Sequence, residues 1–192
     1  KDPSFTSTDE FTVELWYYKK SFNSEYRFDV FMDNLWDYDK SGWIFTNRNN
    51  SGTFQIRFGT GDGTTVRLYD TNYTLQDGRW YHLVGTIKAN DFIRIYVNGE
   101  LIGSNESWPY GVNTTTAYDT FIGTTRTKRI GSFINGTIDE VRIYNRALSA
   151  QEVWEHYHGN YSNETGLVLY LPFKEGSGQT AEDLYGNGND GV

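Results

Sequence analysis

The chain has 192 residues, a net charge of −8, no cysteine and an aromatic content of 17%. These values are typical of one soluble globular domain, and they exclude disulfides, thiolate metal sites and cysteine nucleophiles. The acidic excess disfavours nucleic acid as a partner, because the phosphate backbone would be repelled. No apolar run approaches the roughly 18 residues that span a bilayer, so we expect no membrane insertion.

Short alternations of apolar and polar residues run along the chain and predict a series of β-strands. The first covers residues 11–17, and the longest covers residues 80–88. Asn98-Gly99 separates two apolar runs and predicts a tight hairpin, because both turn positions need positive φ. The last alternation, residues 166–171, ends directly before a proline.

One helix is predicted over residues 149–158, where Ser149 and Glu152 form the Ser-x-x-Glu pattern of a capping box. The helices that a doubly wound α/β fold places between its strands are missing. The sequence therefore predicts an all-β fold, a two-sheet antiparallel jelly-roll sandwich with one short helix. Four tryptophans have strand or helix positions that predict packing: Trp16, Trp43, Trp80 and Trp154.

Four stretches resemble the concanavalin A-like, laminin-G-like jelly-roll domains of bacterial and archaeal surface proteins. They are residues 11–16, 77–84, 95–100 and 136–149, and the last of them is the most specific match. Together they cover most of residues 5–157. The resemblance implies the sandwich fold, but the group includes lectins, adhesion modules and spacers, so fold alone does not fix the function.

The C-terminal part departs from the family pattern. Residues 166–173 look like the strand with which the family's domains usually open, and the loop after them looks like its usual successor. We therefore divide the chain into a sandwich body, residues 1–165, and residues 166–192. The second part either completes the same sandwich as a permuted strand or belongs to a next repeat. An exposed strand edge recruits another chain, so we favour closure within the chain over donation to a neighbouring subunit.

The resemblance also implies a structural calcium ion near the C-terminal loop. Ca²⁺ takes six to eight oxygen ligands from carboxylates, amides and backbone carbonyls. Asp183, Asn187 and Asn189 offer such oxygens in a Gly-spaced loop, and the family pattern adds Asp139. A solvated turn of the same composition is the alternative. The acidic residues at 33–39 form a second, weaker candidate.

Aromatic side chains in polar loops are the candidate ligand-binding residues. Trp36 and Tyr38 lie among acidic residues, and Trp108 and Tyr110 lie in the connection that follows residues 101–102. Aromatic rings stack on pyranose faces, and pocket sites place a few polar groups among such rings. Rings that merely cover the ends of the sandwich are the alternative interpretation.

A catalytic site is not expected. Related glucanases use closely spaced Glu and Asp residues on one strand as acid and nucleophile. The nearest pair here is Asp139-Glu140, and neighbours on a regular strand point to opposite faces. No other convergent set of catalytic groups is visible, so we expect that the protein is not an enzyme.

Asn-x-Ser/Thr sequons indicate an extracellular glycoprotein. The chain has seven, against roughly three expected by chance from its composition. They are Asn49, Asn72, Asn105, Asn113, Asn135, Asn160 and Asn163.

The sequence thus predicts a non-catalytic module on a cell or particle surface that binds a glycan or a protein partner. The main alternative is a structural subunit of a lattice or filament, assembled by strand donation from residues 166–173. A glycan hydrolase is a weaker alternative.

Overall fold

The computed structural model describes residues 9–21, 28–35, 40–50, 53–111, 119–125, 133–185 and 188–192. These residues form eleven strands and one helix: β1 (Glu10–Lys19), β2 (Phe28–Asp33), β3 (Ser41–Asn50), β4 (Thr53–Asp62), β5 (Val66–Asp70), β6 (Arg79–Lys88), β7 (Asp91–Val97), β8 (Glu100–Trp108), β9 (Phe121–Ile122), β10 (Gly136–Tyr144), α1 (Ala150–Tyr157) and β11 (Leu167–Leu171). The helix has eight residues. Nowhere in the described ranges is a helix long and apolar enough to cross a membrane.

The strands form two antiparallel sheets that pack as a sandwich, as the sequence predicts. One sheet has six strands in the order β11-β10-β1-β6-β7-β8, and the other has five in the order β5-β4-β3-β2-β9. The alternation in β1 explains the packing, because Phe11, Val13, Leu15 and Tyr17 all face the interior and are buried. The prediction of a two-sheet jelly-roll fold is confirmed.

Aromatic rings fill the space between the two sheets. The ring of Phe11 meets that of Phe58 edge-on, with centroids 5.5 Å apart. Phe45 makes similar edge contacts with Phe31 at 5.4 Å and with Phe58 at 5.3 Å. Such tilted pairs are favoured by the ring quadrupole in addition to the burial of apolar area. Much of the high aromatic content therefore serves the core.

The predicted hairpin and helix meet each other at one edge of the six-stranded sheet. Asn98 and Gly99 have φ values of 53° and 81° and join β7 to β8, as expected. A Cβ at Gly99 would lie 3.3 Å from Cβ of Tyr157 in α1, so the turn packs closely against the helix. The helix begins with the predicted capping box: Ser149 Oγ accepts from Glu152 N at 3.2 Å, and Glu152 Oε2 accepts from Ser149 N at 2.9 Å.

A buried carboxylate ties the helix to the outer face of the six-stranded sheet. Glu14 of β1 accepts hydrogen bonds from His82 Nε2 of β6 and His156 Nδ1 of α1, each at 2.9 Å. All three side chains are buried. Burial by itself raises the pKa of Glu14, but the bonds from the two histidines outweigh it and lower the pKa to about 2. Glu14 is therefore ionised, and each imidazole donates to it.

The C-terminal strand β11 lies at one end of the six-stranded sheet, where it pairs antiparallel with β10 of the same chain. Leu169 pairs with Ile143, and Leu171 with Val141. The boundary between a sandwich body and residues 166–192 stays a prediction.

Replacement of Glu14 by Gln should destabilise the fold in a pH-dependent way. The pKa of Glu14 is lower in the folded chain than its ordinary value of 4.5. Its stabilising contribution is therefore present above pH 4.5 and is lost as the pH falls towards 2. At pH 7 we expect Glu14→Gln to lower the free energy of unfolding by about 3 kcal/mol.

Urea denaturation at pH 7 and pH 3 measures this difference. Glu106→Gln is the matched control, because Glu106 pairs with Arg94 on the surface and its side chain is 52% exposed. The control should change stability by about 0.5 kcal/mol or less. An equal loss in both variants, or a loss for Glu14→Gln that does not shrink at low pH, would contradict the buried cluster.

A second buried carboxylate, Asp29, should make the fold less stable as the pH rises. This is the reverse of the pH dependence expected for Glu14. Asp29 is almost fully buried in β2, and Asn47 Nδ2 donates to its Oδ2 at 3.1 Å. Burial raises the pKa of Asp29 to about 6. Because the folded pKa lies above the ordinary value of 3.8, stability from this group is complete below pH 4 and falls as the pH rises through 6.

Asp29→Asn should therefore be neutral or stabilising at pH 8, by up to about 3 kcal/mol. Urea denaturation at pH 4.5 and pH 8 checks this, and the variant should lose the fall in stability that the wild type shows between them. A variant that is less stable than the wild type at pH 8 would show that the nearby positive charge of Lys19 offsets the burial of Asp29.

Candidate functional site

The outer face of the six-stranded sheet is only partly covered by α1. Side chains of paired residues on neighbouring strands share a face, and the register places the outward side chains of β10, β1 and β6 in rows. One row contains Thr137, Tyr18 and Trp80, and the next contains Asp139, Trp16 and His82. His82 lies under the helix, whereas Trp80 is exposed. We call the five residues Trp16, Tyr18, Trp80, Thr137 and Asp139 the aromatic face.

Trp80 is the most exposed ring of the aromatic face, with 45% of its surface accessible. The ring of Tyr18 on β1 supports it from the side, with centroids 5.6 Å apart and planes inclined by 50°. Sequence alternation assigned Trp80 to packing. That expectation is wrong because the alternation defines two faces of a strand but does not tell how far the helix covers the outer one.

Trp16 links the aromatic face to the helix. Its ring stacks on Tyr157 of α1 at 5.9 Å and lies 5.2 Å from the ring of His82. These two ring contacts hold the half-buried ring of Trp16 in one orientation beside the exposed Trp80.

A β-bulge in β10 positions the acidic residue of the aromatic face. Trp16 pairs with Asp139 and Glu14 with Arg142, so β10 carries one residue more than β1 between these pairs. Glu140 has φ of 52°, which is the local distortion that accommodates the extra residue. The Glu140 N–H donates to Asp139 Oδ1 at 2.9 Å, and burial nevertheless raises the pKa of Asp139.

The bulge overturns the argument that Asp139 and Glu140 must point to opposite faces. Both carboxylates lie on the outer side of the sheet, but Glu140 is held by other side chains. Its Oε2 accepts from Tyr170 OH at 2.6 Å and from Arg142 Nη2 at 3.0 Å, and its Oε1 lies 3.1 Å from Lys174 Nζ. Burial alone would raise the pKa of Glu140, but these partners lower it. Glu140 is thus an ionised structural anchor.

The four aromatic residues that the sequence predicts to bind a ligand lie in different environments. Trp36 and Tyr38 lie outside the described residues. Trp108 is the last residue of β8, where it pairs with Asp91, and only 5% of it is exposed. The half-buried ring of Tyr110 meets it edge-on at 5.2 Å. The connection that we expected after residue 102 is therefore a strand that extends to Trp108, and ligand binding by these rings stays a prediction.

The predicted calcium ligands are spread over the C-terminal loop and β10. Asp183 is buried, and its carboxylate accepts from the backbone N–H groups of Tyr170, Tyr185 and Asn189. Asn187 lies outside the described residues. Asp139 belongs to the aromatic face and bonds the backbone of Glu140. Within the described ranges, no group of three or more acidic or imidazole side chains could hold a metal ion. Calcium binding stays a prediction.

A cleft of about 1360 Å³ opens between β9 and β11. The apolar residues that line it include Phe121, Ile134, Leu169 and Phe173. Three acidic residues also line it: Asp119, Glu175 and Asp190. This surface differs from the aromatic face because it is concave and carries an acidic rim.

Three solved structures share this architecture. A protein from Bacteroides ovatus ATCC 8483, provisionally described as carbohydrate binding, aligns with a TM-score of 0.76 and 21% identity over 100% of this chain. The binding domain of botulinum neurotoxin DC in complex with rat synaptotagmin II aligns at 0.57 and 16% over 81% of this chain and 37% of its own. The heptameric SAP-like pentraxin of Limulus polyphemus aligns at 0.53 and 19% over 78% of this chain and 70% of its own.

At these identities, the likeness shows the fold alone. The chain spans about half of the length of the Bacteroides ovatus protein, 53%. No curated protein sequence gives a significant match.

The family that the sequence resembles is confirmed by a family model. The model described as the concanavalin A-like lectin/glucanases superfamily matches residues 1–154. With four fifths of its length matched in this way, the chain belongs to the concanavalin A-like lectin/glucanases superfamily.

Proposed function

We propose that the chain is a non-catalytic extracellular module that binds a glycan at the aromatic face. The exposed indole of Trp80 beside Tyr18 carries this proposal. An exposed ring offers an apolar surface on which the C–H groups of a pyranose can stack. Thr137 and Asp139 lie in the same two rows of side chains, where they can hydrogen-bond sugar hydroxyls. A few polar groups beside aromatic side chains are the usual composition of a small-ligand site.

The charge of the aromatic face favours a neutral sugar. Asp139 is its acidic residue, and a carboxylate accepts hydrogen bonds from hydroxyl groups but repels an anionic ligand. The family and the carbohydrate-binding description of a structural neighbour are consistent with this role. The bonds of Glu140 support a binding role over hydrolysis, because Tyr170, Arg142 and Lys174 already occupy its carboxylate.

The sequons support an extracellular location. Asn72, Asn160 and Asn163 are exposed and could carry glycans without unfolding. Asn49, Asn105 and Asn135 are half-buried, and Asn113 lies outside the described residues. Exposed acceptor sites are required for glycosylation of a folded surface protein.

A protein partner is the second candidate, and the cleft between β9 and β11 favours it. Apolar walls with the acidic residues Asp119, Glu175 and Asp190 suit a segment that carries apolar and basic side chains. Such a partner would bind independently of Trp80.

Removal of the Trp80 ring should weaken glycan binding. A glycan array identifies the best neutral oligosaccharide, and calorimetry then measures its affinity for each variant. We expect Trp80→Ala to reduce affinity about tenfold or more, because the stacking surface is lost. Asp139→Asn should also weaken binding, by a smaller factor.

Trp154→Ala is the matched control for this experiment. Trp154 is 49% exposed on α1, outside the aromatic face, and its ring lies 4.0 Å from that of His158. The control should keep its affinity within about twofold. Equal loss in both variants, or full binding by Trp80→Ala, would refute the aromatic face as the binding site.

Calcium binding at the C-terminal loop can be tested on the same protein. If the loop binds calcium, a calcium concentration about 100 times Kd should raise Tm by about 5 °C or more, and EDTA should reverse the rise. Asp183→Asn should abolish the shift, whereas Asp62→Asn, at the end of β4, should not. An unchanged Tm in calcium would exclude a stabilising calcium ion there.

A further inference from the structure

Two residues of the C-terminal part, residues 166–192, bond the carboxylate of Glu140 beside the aromatic face. The Tyr170 hydroxyl donates to Glu140 Oε2 at 2.6 Å, and Lys174 Nζ lies 3.1 Å from Glu140 Oε1. Glu140 itself belongs to β10, in the sandwich body. Each oxygen of this carboxylate is therefore bonded by a group from the C-terminal part.

The backbone conformation of Glu140 needs such support. Its φ of 52° lies in the left-handed region, which a residue with a Cβ rarely adopts, and this residue forms the β-bulge of β10. Conformations of this kind persist only where the surrounding contacts hold them. Arg142 Nη2 makes one such contact from within β10, 3.0 Å from Glu140 Oε2, and Tyr170 and Lys174 add two from outside that strand.

The backbone of Glu140 in turn orients Asp139 of the aromatic face. The Glu140 N–H donates to Asp139 Oδ1 at 2.9 Å. This bond fixes the plane of the Asp139 carboxylate, so that Oδ2 keeps one direction from which it can accept a sugar hydroxyl. A change of φ at Glu140 would move the N–H and turn the carboxylate with it. The orientation of Asp139 therefore depends on the side-chain contacts of its neighbour.

We propose that Tyr170 and Lys174 are positioning residues for glycan binding, which hold Glu140 in the left-handed conformation and thereby fix Asp139 at the aromatic face. Both act through Glu140, since neither is a member of the aromatic face. They serve the glycan site of the proposed function, on which this assignment rests. A complete binding site then needs the C-terminal part docked on the sandwich body of its own chain.

A double-mutant cycle in the full-length chain tests the role of Tyr170. Tyr170→Phe removes the hydroxyl but keeps the ring, whose centroid lies 3.9 Å from the guanidinium of Arg142. With the best oligosaccharide from the array, calorimetry should show binding about threefold weaker than that of the wild type, because Asp139 is no longer fixed. In an Asp139→Ala background, Tyr170→Phe should have no further effect. A general loss of stability would instead weaken binding by the same factor in both backgrounds.

Hydrogen exchange of the Glu140 amide tests the same contacts without a ligand. Tyr170→Phe and Lys174→Ala should each accelerate this exchange by about threefold or more, because the N–H no longer keeps its bond to Asp139. The side chain of Lys174 is 70% exposed, so its truncation leaves the packing of the fold intact.

Tyr144→Phe is the matched control for both measurements. Tyr144 also belongs to the six-stranded sheet, in β10, but its hydroxyl has no hydrogen-bond partner among the residues that the structure describes. The control should keep the affinity of the wild type within about twofold. It should also keep the exchange rate of the Glu140 amide.

Unchanged exchange of the Glu140 amide in both Tyr170→Phe and Lys174→Ala would overturn the proposal, even where Trp80→Ala confirms the aromatic face as the glycan site. An equal loss of affinity from Tyr170→Phe in the Asp139→Ala background would also overturn it. If Trp80→Ala binds as well as the wild type, the proposed function fails, and exchange of the Glu140 amide still decides whether the two side chains hold this backbone in place.

Discussion

The hydrogen-bonded carboxylate of Glu14 determines what the outer face of the six-stranded sheet can do. A charge buried between a sheet and a helix is tolerated only where donors surround it, and His82 and His156 supply these from two different elements. The carboxylate thereby fixes α1 over one part of the face. The rest of the face remains open, and its outermost ring, Trp80, remains exposed. Helix position and ligand access therefore have the same physical cause.

The bulge at Glu140 likewise determines which side chains β10 presents on the outer face of the sheet. One extra residue, with φ of 52°, brings two neighbouring acidic side chains to the same side of the sheet. Asp139 then joins the aromatic face, while Glu140 turns towards Tyr170 and Lys174. The acidic dipeptide thus supplies a hydrogen-bond acceptor with one residue and a structural ion pair with the other. Asp139 and Glu140 have the same kind of ionisable group, so their different roles follow from the geometry around each carboxylate.

Sequence patterns predict the local elements of this molecule much better than the features that depend on distant parts of the chain. The alternation in β1, the Asn98-Gly99 turn and the capping box at Ser149 are local signals, and each corresponds to an observed element. The exposure of Trp80 and the burial of Trp108 depend on which distant element covers them. The position of Asp139 depends on a bulge that no alternation reveals. Sites built from such non-local features could not be located from residue spacing alone.

Tyr170 connects the two ends of this arrangement. Its backbone N–H donates to Asp183, its carbonyl oxygen accepts from the Leu184 N–H, and its hydroxyl donates to Glu140 beside the bulge. The guanidinium of Arg142 lies between the rings of Tyr161 and Tyr170, 3.9 Å from each centroid, and the Glu140 N–H donates to Asp139 of the aromatic face. A continuous set of contacts therefore runs from the C-terminal loop to the proposed glycan site. Because packed networks of this kind resist small displacements, a docked β11 helps to hold Asp139 in place. The C-terminal strand thus supports the outer face as well as closing the sheet.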